Sequence, residues 1–391
     1  MKIWIVDPRL TAERRLWIEG WARHSRHQIL AFTLPPSLRT PSGGTSCLAR
    51  ERARQLARRI RRYLTGSAVR DPSRHPAGLP DLVLLTDGLD GEAFVEEIGD
   101  LLAGIPLWIY WHTSRMADPE AATPEEIAVE LRTVRVAERC LFHGKRQREH
   151  FLRVLSRYEP ALALQVEKRA AVVPPGFDPF PSRSEALSFH KPLVLWLLRG
   201  EPIEIPMLIA ALDRPALQPL NFQVLLLSER PEMETPRVQG LPPQLRARIL
   251  GILSPESSEA QRWASAAQAI VDGSIRPHSP IHLMRLTSEG PWPLVPASSG
   301  LLDTLPEAFW PRCAYHQSED LAERLRILLI DPPLGSREIR QALAAWMWPA
   351  LAPRYDALCE IALRDFPERE GDVKESAHRE AGGCPYSSRA T

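Results

Sequence analysis

The residues best placed to do chemistry in this chain are those that directly follow apolar runs. They are Asp7 after KIWIV, Asp87 after LVLLT, His112 after PLWIYW, Gly176 after AAVVPP, Arg199 after PLVLWLL, Glu229 after FQVLLLS and Asp272 after AIV. An arginine fork in this position suits phosphate or carboxylate oxygens, because its planar donors match two acceptors at once. An imidazole that changes charge near neutrality suits a general catalyst or a hydroxyl partner. His112 also reads as a hydrogen-bonded residue capping the next segment. Asp87-Gly88 reads equally as a turn leading to an N-cap at Asp90.

The elements that must position these residues alternate along the chain. Strand-like runs at 2–6, 28–34, 82–86, 106–110, 139–142 and 170–173 are separated by amphipathic stretches at 11–24, 47–64, 91–103, 123–137 and 145–157. Such alternation predicts right-handed crossovers and a parallel sheet covered on both faces. After a Pro/Ser-containing hinge at 179–190 the pattern restarts, with runs at 192–198, 222–228, 269–271, 293–295 and 313–315 and helices at 204–213, 242–249, 257–267 and 318–329. The expected division is 1–186, 187–332, C-terminal helices over 333–366, and a charged, disordered tail from 367 to 391. In doubly wound sheets ligands sit beyond the carboxyl ends of the strands, so the residues named above would line a cleft between two domains.

Composition narrows the possibilities. With 391 residues, 44% hydrophobic and 25% charged, the chain can bury two cores, and no run has the length and purity of a membrane span. Lys2 leads directly into a strand rather than a signal peptide, so a cytoplasmic location is expected. A formal net charge of +1 means that any nucleic-acid binding must be local. The best local signal is the helix at 47–64, where Arg54, Arg58, Arg59, Arg61 and Arg62 crowd the faces left by a buried Leu56/Ile60 stripe. That face reads either as a phosphate-backbone dock or as a solvated helix in an arginine-rich protein. The five cysteines are scattered, with no finger spacing, so no structural metal is expected. Walker, GxGxxG, HExxH and GxSxG patterns are absent from the sequence.

Several segments match a known family in order and spacing: WIEGWARHSRHQILAFTLPP (17–36), LPDLVLLTDGLD (79–90), PLWIYWH (106–112), AERCLFHGKRQREHFL (137–152), VVPPGFD (172–178), LWLLRGE (195–201), NFQVLLLSER (221–230) and WPALAPRYD (348–356). Together they resemble the tRNA-queuosine mannosyltransferases, over nearly the full length. The resemblance implies an α/β fold of GT-B type, with two Rossmann-like doubly wound domains and C-terminal helices crossing back to the first. It implies retaining transfer of mannose from GDP-mannose to queuosine in a tRNA, with a nucleotide sugar as substrate and no tightly bound cofactor or metal. A silent relative that binds RNA or a protein is the alternative.

By that resemblance Arg199 and Glu201 stand where the family's Arg-Trp-Glu begins, and Arg199 would hold the diphosphate while Glu229 lines the donor pocket. Gly176 would approach the donor, His112 and Asp7 would be the catalytic residues facing the acceptor, and Asp87 would line the acceptor side. Ile203-Glu204 replaces the family's Asp-Lys, which removes an ammonium from the diphosphate site. Arg276 and Arg285 are the residues that could supply the missing charge. Thr11-Ala12-Glu13-Arg14 replaces a glycine-rich loop after the first strand, and Thr113-Ser114-Arg115 replaces the acidic and amide partners of the histidine.

Overall fold

The computed structural model describes residues 1–35, 45–70, 78–116, 122–180, 190–274, 278–332 and 336–364. Arg276, most of the expected hinge and the tail from 367 lie outside them. The first sheet holds β1 (Lys2–Asp7), β2 (Gln28–Thr33), β3 (Leu82–Thr86), β4 (Leu107–Trp111), β5 (Arg139–Phe142) and β6 (Ala170–Val172). They pair in parallel in the order β2-β1-β3-β4-β5-β6. Helices α1 (Ala12–His24), α2 (Thr45–Arg70), α3 (Gly91–Ile98), α4 (Pro124–Val136), α5 (Lys145–Tyr158) and α6 (Pro160–Arg169) make the connections.

The second sheet holds β7 (Leu193–Leu198), β8 (Gln223–Ser228), β9 (Ile249–Leu253), β10 (Ala269–Asp272), β11 (Trp292–Pro296) and β12 (Ala314–Tyr315), in the order β12-β11-β10-β7-β8-β9. Its helices are α7 (Glu204–Leu212), α8 (Pro231–Gln239), α9 (Pro243–Arg246), α10 (Ser258–Ala266), α11 (Ile281–Thr287), α12 (Trp310–Cys313) and α13 (Ser318–Ile330). The central strands β3, β4 and β7 are buried at every residue, which is why they read as unbroken apolar runs.

Each sheet has a point where the strand order reverses, between β1 and β3 in the first and between β7 and β10 in the second. The carboxyl ends at both points face one cavity. Two last helices follow: α14 (Ser336–Ala344) packs on α11 of the second lobe, and α15 (Trp348–Arg364) packs on α1 of the first. The indole of Trp348, fully buried, is the wedge of this return. A Cβ at Gly20 would lie 2.0 Å from its Nε1, and one at Gly176 would lie 2.5 Å from its ring. Trp348 N–H donates to the Phe177 carbonyl (3.0 Å), Phe177 N–H to the Trp346 carbonyl (3.3 Å), and the Tyr355 hydroxyl to the Pro174 carbonyl (2.9 Å).

Some elements differ from expectation. The stretch read as a helix at 242–249 is a single turn, α9, followed by the edge strand β9, a five-residue Ile-Leu-Gly-Ile-Leu run broken by Gly251 and only partly buried. Helices α6, α8 and α11 were not foreseen. The first begins on Pro160, the second contains Pro236, and the third has only seven residues, too few to display a period. Among the described residues no helix is long and apolar enough to cross a membrane.

Candidate functional site

The cavity between the lobes has a volume of ≈ 670 Å³. Its first-lobe wall comes from the loop after β1 and the start of α1 (Arg9, Thr11, Glu13, Arg14) and from the loop after β4 (His112 to Arg115). Its second-lobe wall comes from the loops after β7 and β8 and from the approach to α11, including Arg199, Glu201, Glu229, Arg230, His278 and His282.

The loop after β1 is built by Asp7. Its carboxylate accepts the backbone N–H of Arg9 and of Leu10, each at 2.7 Å, and so holds Leu10 at φ +30°, in a region that side chains avoid. The chain then enters α1 through Thr11, whose hydroxyl accepts the Arg14 N–H at 3.4 Å. Arg14 turns back into the interior and pairs with Asp7 at 3.5 Å and with Asp87. Asp87 is saturated, because it also accepts the backbone N–H of His112 (2.9 Å) and Thr113 (3.3 Å) and the Thr113 hydroxyl (2.8 Å). Burial works against its charge, yet Arg14, His112 and Arg9 together hold the carboxyl well below the ordinary carboxylate range. Asp7 and Asp87 are therefore the fixed struts of the first lobe. Both are buried away from the cavity, which corrects the expectation that they face the acceptor.

His112 does face the cavity. Its ring lies edge-on to Trp17, with centroids 4.8 Å apart, and against Tyr110 at 4.7 Å. Neither ring nitrogen has a hydrogen-bond partner. Burial, reinforced by Arg14 and opposed by Asp87, keeps the imidazole well below its usual titration range, so it stands neutral, with one nitrogen able to donate and the other to accept.

On the opposite wall Arg199 is already engaged. Its Nη1 donates to Glu13 at 2.6 Å across the cleft, its Nη2 to the Ser279 carbonyl at 3.2 Å, and Asp272 lies 3.7 Å from its Nε. Burial opposes the guanidinium charge, and Glu13 with Asp272 more than restores it. Glu13 also accepts the His282 backbone N–H at 3.0 Å. The backbone amides of Arg199, Gly200 and Glu201, with Gly200 at φ +85°, form an anion-binding nest, and Glu204 fills it at 2.6, 2.9 and 2.9 Å. The carboxylate that stands where the resemblance places an ammonium thus takes up these three amides within the chain itself. Glu201 accepts from Ser274 Oγ and meets His278 Nε2, both at 2.9 Å. Glu229 lines the cavity and meets His282 Nε2 at 3.2 Å. Burial would raise its carboxyl, but the His282 imidazole and Arg199 bring it below the usual range.

Other expected residues lie elsewhere. Gly176 is the seat of Trp348 and does not line the cavity. Arg285 stacks on the Phe180 ring at 4.0 Å, outside the cavity, so it cannot supply charge there. The arginines of α2 are occupied: Arg54 by Glu96 at 3.8 Å, Arg58 by Glu97 at 2.8 Å, Arg61 by Asp100 at 2.5 Å, Arg59 by the Thr33 carbonyl at 2.6 Å, and Arg62 by the Arg58 carbonyl at 3.3 Å. The acidic face of α3 thus takes up much of the charge that suggested a nucleic-acid surface. Sequence reasoning missed Arg9, Glu13, Arg230, His278 and His282 as wall residues. For Glu13 the signal was present, an acid in the first turn of a helix that starts directly after a strand.

No protein-family model matches the chain, and no curated protein matches it in sequence. Its shape has many relatives. HepE of Anabaena in complex with UDP and glucose superposes with a TM-score of 0.62 at 16% identity, over 93% of this chain and 100% of that one. The sucrose-phosphate synthase of Thermosynechococcus elongatus gives 0.67 at 14% identity, over 93% and 100%. The fold is GT-B. The trehalose-6-phosphate synthase OtsA gives 0.63 at 10% identity, over 92% and 99%. In this GT-B chain the two switch points and the cavity between them follow from the architecture, whereas the side chains that line the cavity are its own.

Proposed function

We propose that the protein transfers a sugar from a nucleotide sugar, with the donor on the second-lobe wall and the acceptor on the first. One observation carries this reading: the unpartnered, neutral His112 and the charged set Arg199, Glu229 and Arg230 converge on one cavity between the two switch points. His112 would serve a sugar hydroxyl as donor or acceptor once its ring, now buried in the first-lobe wall, turned toward the cavity. The departing diphosphate needs fixed positive charge. Arg230, which has no ion pair or hydrogen bond from its side chain among the described residues, lines the same second-lobe wall as the buried Arg199. The similar HepE structures hold UDP and UDP-glucose. The sequence resemblance adds a finer reading, retaining transfer of mannose from GDP-mannose to queuosine in tRNA.

A second reading, a silent relative that binds without catalysing, draws on Glu204, whose carboxylate occupies the amide nest that a phosphate would otherwise use. Calorimetric titration with UDP-glucose, GDP-mannose, UDP and GDP separates the two. Saturable binding of one nucleotide sugar, with release of its nucleotide on incubation, supports transfer. No heat and no melting shift with any of them would remove the proposal. With GDP-mannose as donor, loss of boronate retardation by queuosine-containing tRNA would establish the finer acceptor.

A further inference from the structure

We propose that the first-lobe end of the cavity is an anion subsite in which Arg9, flanked by Arg115 and His112, binds a phosphate group carried by the acceptor. The proposal rests on the donor-and-acceptor reading above for the word acceptor, and on this chain's own residues for the anion.

Arg9 lines the cavity half-buried, and its side chain has no ion pair or hydrogen bond among the described residues. The carboxylates that could neutralise it are spent. Asp7 accepts two backbone N–H groups and pairs with Arg14. Asp87 takes Arg14, the N–H of His112, and both the N–H and hydroxyl of Thr113. Glu126 pairs with Arg115 at 3.2 Å, and Glu130 accepts the Ser114 hydroxyl and the N–H of Arg115 and Met116. Arg9 is thus left as surplus charge at a corner that Arg14 and Arg115 also occupy.

The placement is built into the backbone. Gly88, at φ +84°, carries no side chain, and a Cβ there would lie 2.6 Å from Arg9 Nε, so the guanidinium rests on the turn after β3. His112 lines the same cavity, and its two buried ring nitrogens have no hydrogen-bond partner. Burial, together with Arg14 and then Arg115 and Arg52, lowers the Arg9 pKa against the partial relief that Asp87 gives. An unsatisfied, partly desolvated cation is costly, and a bound anion removes that cost. The guanidinium fork matches a phosphate group, and a neighbouring neutral imidazole can donate a further hydrogen bond.

Two acceptors carry such a group: a small sugar with a terminal phosphomonoester, and an RNA strand with internal phosphodiesters. Calorimetry on the full chain would compare glucose 6-phosphate and mannose 6-phosphate, their unphosphorylated sugars, and a single-stranded oligoribonucleotide, each with and without UDP or GDP. The expected result is binding of a phosphorylated probe in preference to its unphosphorylated form. It should weaken roughly 10- to 100-fold in Arg9→Gln, the loss of one charge-assisted contact, and be largely restored in Arg9→Lys. A melting temperature like the parent's in Arg9→Gln shows that the variant is folded. Hexose-phosphate binding identifies a small acceptor, and oligoribonucleotide binding that Arg9→Gln abolishes identifies an RNA. Equal affinity for phosphorylated and plain probes, or unchanged affinity in Arg9→Gln, would overturn the subsite. Nucleotide binding that survives such a result leaves the proposed function standing, and phosphate-probe binding without nucleotide binding would do the reverse.

Discussion

Glu204 and Glu130 show how individual buried groups give the protein a pH-dependent stability. Burial pushes both carboxyls up to about 7, against the amide hydrogen bonds they accept. An unfolded chain releases the same protons near 4.5, so the folded state holds protons that the unfolded state gives up. Their contribution is complete below pH 4.5 and is lost as the pH rises through about 7. His112 and His143 act in the opposite direction. Burial lowers both from 6.5, His143 to about 4, so their contribution is complete above 6.5 and is lost as the pH falls through the lowered value. The two slopes oppose each other in acid, and near neutrality the carboxyls alone remain. The melting temperature should therefore fall between about pH 6.5 and 8, and Glu204→Gln should roughly halve that fall. A slope unchanged in the variant would show that the Glu204 proton is not involved. The sequence reveals Glu204 only as a charge where another was expected. That its carboxylate folds back on three amides depends on the turn at Gly200.

At the level of elements, the return of α15 to the first lobe depends on two glycines that admit Trp348. Gly176→Ala would drive a methyl group to 2.5 Å from the indole. The loop is hydrogen-bonded to the residues around Trp348 on both sides of Phe177, so it cannot retreat without losing those bonds. Overpacking of this kind costs about 1–3 kcal/mol, which a urea unfolding curve would register as a lower midpoint at unchanged slope. A midpoint equal to the parent's would mean that the seat is looser than described. The central strands were legible in the sequence because a strand covered on both faces has no polar alternation to confuse it. The edge strand β9 was not, since its Ile-Leu-Gly-Ile-Leu run is short and is interrupted by Gly251. The arginines of α2 were legible as a basic face, but Glu96 and Glu97 on α3 and Asp100 just after it, which answer them, are invisible to a reading of one helix at a time.

For the whole molecule, Glu13 is the principal tie across the cleft. It reaches from α1 to Arg199 and to the His282 amide, 186 and 269 residues away along the chain. Separations of that size explain why strand-end residues could be named from sequence while their partners could not. Topology places the ends of strands, but only packing decides which opposite charges meet. Arg199 cannot serve a donor phosphate fully while Glu13 holds it. Glu13→Gln should therefore lower the melting temperature, because a buried cation loses its counter-charge. The same variant should show a larger melting shift on adding UDP or GDP than the parent does, since the ligand now competes with no carboxylate. If the variant gained no more from nucleotide than the parent, Arg199 would not be part of the donor site.

The route of the polypeptide has a consequence for how it is made. The face of α1 that carries Trp17 and Trp21 is covered by α15, through Tyr355 and Asp356, more than 330 residues downstream. A ribosome that has released the first lobe has therefore not yet supplied the piece that seals it. That side of the two indoles stays uncovered until residues 338 and 335 positions further along have been made.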